Sequence, residues 1–88
     1  MPTVRLSKRA ENSYFRLARD DRSLFQRVDR ALERLASEPD AGKPLAGPLR
    51  RHRSHRVGPM TIIYRHETEA DLVLVLEIAS RGRVYRRR

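Results

Sequence analysis

The residues best suited to chemistry in this chain are arginines, and they are not spread evenly. Residues 50–66 hold Arg50, Arg51, Arg53, Arg56 and Arg65 and no acid. Residues 78–88 hold Arg81, Arg83, Arg86, Arg87 and Arg88, again without an acid, together with Tyr85. Of the 20 basic residues only Lys8 and Lys43 are lysine, and the formal net charge is +9. A guanidinium grips a phosphate through two parallel N–H donors, which an ammonium cannot do. Acid-free clusters of this kind suit a polyanion, and a tyrosine among them adds a ring on which a base can stack. The pattern points to a nucleic-acid backbone, with arginines placed to neutralise charge on a phosphate. A charged strand edge that resists aggregation accounts for one or two such arginines, but less well for this many.

Other chemistries find less support. His52, His55 and His66 are the only histidines. On a strand, residues 52 and 55 point to opposite faces, and no cysteine or carboxylate stands nearby at ligand spacing, so neither metal nor cofactor is expected. His55 is a candidate acid or base because its ordinary pKa lies near neutrality. There is no Ser-His-Asp or Cys-His arrangement and no glycine-rich phosphate loop after a strand. Glu77 stands in an otherwise apolar run, where an ion pair with a neighbouring arginine is the expected role. The 88 residues suffice for one domain, 1–88, and lack cysteine. With neither a signal-peptide core nor an apolar run long enough for a membrane span, a soluble cytoplasmic protein is expected.

The elements that would position these residues follow from periodicity. Val4 and Leu6 alternate with polar neighbours and predict a short strand. Ser7 is a plausible N-cap for a helix with Ala10, Tyr14, Leu17 and Ala18 on one face. Asp20, Asp21 or Ser23 then caps a second helix with the stripe Leu24, Val28, Ala31, Leu32 and Leu35, which Pro39 ends. Asp40 to Pro48 reads as a loop. Leu49 to Val57 and Met60 to His66 read as strands around a Gly58-Pro59 turn, and Leu72 to Leu76 as a central strand. On the first of these, Arg51, Arg53 and His55 share one face and Arg50, His52, Ser54 and Arg56 the other. The fold class is α+β, in the order β-α-α-β-β-β. The helical hairpin lies on one face of a small, mostly antiparallel sheet, and the other face stays open.

Two segments carry a family resemblance. Residues 43–49, KPLAGPL, lead to residues 56–64, RVGPMTIIY, and residues 78–85 read IASRGRVY. In this order and spacing the chain resembles the RelE/ParE superfamily of bacterial type II toxins, and the last segment is similar to the RelE side. The resemblance implies a toxin held inactive by a cognate antitoxin, expected to be acidic. On the RelE side it implies an endoribonuclease acting in the ribosomal A site, where the ribose 2′-hydroxyl attacks the adjacent phosphate of the mRNA. Arg81 then matches the phosphate-stabilising arginine, and Tyr85 the tyrosine that stacks on a base or assists proton transfer. Arg56 completes the expected catalytic set, and Arg50, Arg51, Arg53, His55, Arg65 and Arg83 would grip RNA. The sequence departs from the pattern at Thr61, where active RelE-type toxins usually carry an arginine. Two further readings remain: a ParE-like inhibitor of DNA gyrase without nuclease activity, and a non-catalytic basic module that binds RNA.

Overall fold

One hydroxyl fixes the first turn of the chain. Ser7 Oγ accepts from the Ala10 amide at 3.1 Å and donates to the Leu76 carbonyl at 2.8 Å. It thereby caps α1 (Lys8–Asp20) and ties it to the strand beneath. Asp21 does the same for α2 (Arg22–Ser37), accepting from the Leu24 amide at 3.2 Å. In this computed structural model, residues 2–80 are described. The expectations placed on Arg81, Arg83 and Tyr85 lie outside the described residues.

The strands are β1 (Thr3–Leu6), β2 (Lys43–Pro44), β3 (Arg53–Val57), β4 (Met60–Glu67) and β5 (Leu72–Ser80). They form one sheet in the order β1-β5-β4-β3-β2, with β1 parallel to β5 and the other neighbours antiparallel. The helical hairpin covers one face, giving the expected α+β architecture. Val28, Leu32 and Leu35 of α2 pack with Ile62, Tyr64, Val73, Val75 and Ile78 of the sheet. Burying an aliphatic side chain of this size contributes about 1.5–3 kcal/mol. Midway along the hairpin the Tyr14 hydroxyl donates to Asp29 at 2.7 Å. Burial and the Asp29 carboxylate push that phenol up to about 12.

Three details depart from the sequence reading. Residues 43–44, expected in a loop, pair with β3 as a two-residue strand. β3 begins at Arg53 rather than Leu49, because Gly47–Leu49 forms a 3-10 turn with Gly47 at φ 66° and a proline in its first turn. The alternation of faces therefore holds only from Arg53 onward, and Arg50, Arg51 and His52 are not strand residues. Lastly, the register between β4 and β5 slips by one residue: Ile63 faces Glu77 and Tyr64 faces Val75, leaving Leu76 as the extra residue. Ile78 rather than Glu77 takes the next core position, and Glu77 reaches Arg9 on α1 at 3.5 Å.

Candidate nucleic-acid interface

The register of β3 against β4 sorts the basic residues into two groups. Arg53, His55 and Val57 lie opposite Tyr64, Ile62 and Met60, which face the helices. Ser54 and Arg56 lie opposite Ile63 and Thr61, which face away from them. Two arginines only three positions apart thus have different surroundings.

Arg53 is engaged by the chain itself. One guanidinium nitrogen donates to the Gly42 carbonyl at 2.8 Å and to the Asp40 carbonyl at 3.4 Å, and the other stands 3.6 Å from the Asp40 carboxylate. Beside it the fully buried Tyr64 closes the same loop. Its hydroxyl donates to the Pro39 carbonyl at 2.6 Å and accepts from the Gly42 amide at 2.8 Å. Burial raises the Tyr64 pKa, so the phenol keeps its proton. Gly42 is required here, since a Cβ would sit 2.5 Å from the Tyr64 hydroxyl oxygen and 2.9 Å from the Ser54 carbonyl oxygen. These contacts pin residues 39–42, ahead of β2, onto β3 and β4. His55 lies on the same side, and burial, then the nearby Arg34 charge, lower its pKa.

The face away from the helices is arranged differently: Ser54, Thr61 and Ile63 at its centre are buried, and its exposed cation lies at the edge. Arg56 is exposed, and across the ladder it faces Thr61, which in turn faces Ala79 near the end of β5. Neighbouring strands lie about 4.8 Å apart, so Arg56 and Ala79 are separated by about 10 Å. The chain continues from Ser80 directly into the basic segment that begins at Arg81. Arg65 shares this face of β4 with Thr61 and forms an ion pair with Glu67. Arg65 and the exposed Arg51 line one shallow pocket with His66 and Glu67. Arg50 is exposed in the turn that precedes β3. Arg56 and Arg65 thus belong to the face away from the helices, Arg51 stands beside Arg65, and Arg53 and His55 turn toward the helices. Among the described residues no group of three or more His, Cys, Asp or Glu side chains converges as a metal site would require.

Two features escaped sequence reasoning. Tyr64 read as one more apolar strand residue, and only the proximity of Gly42, which lies 22 positions earlier, reveals its role. Thr61 stood out as the departure from the RelE pattern, but its complete burial was not foreseen. The proline and glycines around residue 42 were the one available signal of a constrained loop.

The family model of the ParE toxin of type II toxin-antitoxin systems, from parDE, matches residues 4–85. The chain belongs to the ParE toxin family. The toxin's fold is shared with solved members of the wider RelE/ParE superfamily. It is similar to a chain of the RelBE2 toxin-antitoxin complex from Mycobacterium tuberculosis, at 28% identity and TM-score 0.79, over 92% of this chain and 100% of that one. The YoeB/ParE toxin from Agrobacterium tumefaciens aligns at TM-score 0.81 and 17% identity, over 89% of this toxin and 96% of that chain. The isolated RelE toxin of E. coli aligns at TM-score 0.76 and 16% identity, over 98% and 93%. No curated protein matches the toxin's sequence.

Proposed function

We propose that the toxin is a ribosome-dependent mRNA endoribonuclease that cuts within the A-site codon and thereby blocks translation. The observation that carries this reading is the cross-strand row Arg56–Thr61–Ala79, in which the exposed Arg56 lies one strand away from β5, the strand that leads in sequence into Arg81. In the proposed step the 2′-hydroxyl of one nucleotide attacks the adjacent phosphorus. A bond from O2′ to phosphorus forms, and the bond to O5′ breaks. The proton of the 2′-hydroxyl goes to a base on the toxin or the ribosome, and the departing O5′ takes up a proton. Arg81 and Arg56 stabilise the charge on the non-bridging oxygens, and Tyr85 stacks on a base or assists the proton transfer. Arg50, Arg51, Arg53, His55, Arg65 and Arg83 hold the RNA backbone or position the elements that do.

The net charge of +9 calls for a partner of opposite sign. A cognate acidic antitoxin that covers the open face would hold the toxin inactive in the cytoplasm. Among the described residues no helix is long and apolar enough to cross a membrane.

The deciding experiment is cleavage of mRNA on programmed ribosomes, mapped by primer extension, with naked mRNA alongside. The expected result is a cut inside the A-site codon that needs the ribosome and disappears in Arg81→Ala and Tyr85→Ala. A folded toxin that leaves the message intact would overturn the reading.

One observation favours a second reading. The matching family model is that of ParE, and Thr61 carries no charge in the row that would face the phosphate. In that case DNA gyrase is the target, cells show DNA damage with intact mRNA, and toxicity survives Tyr85→Ala. A non-catalytic RNA-binding module would instead bind in a salt-dependent way without toxicity.

A further inference from the structure

We infer that the Thr61 hydroxyl donates a hydrogen bond to a backbone phosphate of bound RNA, next to the Arg56 guanidinium. The inference rests on the reading of the toxin as an RNA-cutting enzyme and adds to it a neutral donor at the centre of the site.

Thr61 is fully buried, and its Oγ1 has no hydrogen-bond partner among the described residues. A hydroxyl turns freely to meet almost any acceptor, so a buried one without a partner calls for an explanation. Valine would fill the same volume without leaving a polar atom unsatisfied. The place of the hydroxyl supplies the explanation. Thr61 belongs to the open face, not to the core between sheet and helices, and its cross-strand neighbours are Arg56 and Ala79. The row therefore holds a cation, a hydroxyl and a methyl group. A cation ligand would be repelled by Arg56, whereas the non-bridging oxygens of a phosphate accept from the guanidinium and the hydroxyl together. Arg56 is the exposed member of the pair. Thr61 is enclosed in the free toxin, so a phosphate meets Oγ1 only once the groups that cover it move aside. A donor left unsatisfied in the free toxin and satisfied only by substrate is a cost in stability kept for function.

The test compares wild type with Thr61→Val, which removes the donor and keeps the shape, and with Thr61→Ser, which keeps the donor. On programmed ribosomes Thr61→Val is expected to cut about tenfold more slowly, the usual worth of one hydrogen bond to a charged group. Thr61→Ser should restore most of the rate. Thr61→Val should also melt at the same temperature or a few degrees higher, about 4 °C, so a slower rate cannot come from a loss of fold. A parallel arm measures binding of a short RNA, blocked by 2′-O-methyl groups, by fluorescence anisotropy; weaker binding by Thr61→Val is expected. Equal rates and equal binding for wild type and Thr61→Val would overturn the inference. So would a rate loss accompanied by a lowered melting temperature. Should wild type bind the RNA yet never cut, the endonuclease reading falls by itself. The binding arm then decides Thr61: weaker binding by Thr61→Val upholds the phosphate contact, and equal binding overturns it. If wild type cuts on the ribosome without binding the free RNA, the cleavage rates of Thr61→Val and Thr61→Ser decide Thr61; a wild type that neither cuts nor binds overturns both.

Discussion

The two faces of the sheet carry similar residues put to different uses. On the helix-covered face Arg53 and Tyr64 direct their hydrogen bonds into the chain itself, at Asp40, Gly42 and Pro39. On the open face Arg56 stands exposed, and the Thr61 hydroxyl finds no partner among the described residues. Strand alternation alone makes this division. A basic cluster that looks uniform in sequence becomes one part that fixes a loop and another that remains available to a ligand. The first part is expected to govern stability, and the second to govern binding.

The largest effect should come from breaking the covered face. Ile62→Ala removes a fully buried side chain from the centre of the core and should cost about 2–5 kcal/mol in chemical denaturation. For an 88-residue chain that is enough to unfold much of the population. Next comes the loop anchor. Tyr64→Phe keeps the ring but strands the Gly42 amide and the Pro39 carbonyl, a loss of about 1–3 kcal/mol by the same measurement. Hydrogen exchange should then quicken at Gly42 before it quickens in β5.

Arg56→Ala sharpens the contrast from the other side. Stability should stay within about 0.5 kcal/mol of wild type, as expected for an exposed residue. RNA affinity should fall, and the salt dependence should lose about one unit of slope. An Arg56→Ala protein that unfolds early would erase the distinction between the faces.

The smallest effect concerns His55. Its pKa is lowered by burial and then by Arg34, so the neutral form is favoured in the folded state. The associated stability is complete above the ordinary imidazole value and is lost as pH falls through the lower folded value. An NMR titration of the imidazole should show the lowered midpoint. In Arg34→Gln it should move up only part of the way, because burial is the larger cause.

Much of the frame was legible in the sequence. The α2 stripe from Leu24 to Leu35, the caps at Ser7 and Asp21, the Gly58 turn and the three-stranded meander all follow local rules of periodicity and turn chemistry. Local rules failed where a contact spans the chain. The 3-10 turn at Gly47–Leu49 and the two-residue strand at Lys43–Pro44 depend on β3 lying alongside. The extra residue at Leu76 shows only once β4 and β5 are in register.

The sequence by itself determined the charge, the element order and which residues could meet a phosphate, since composition and period are local properties. Only the tertiary structure decided which of those residues face outward. Side chains alternate along a strand, so the boundary at Arg53 and the helices on one side assign each arginine to a face. That assignment turns Arg53 toward the Asp40 loop and leaves Arg56 beside Thr61.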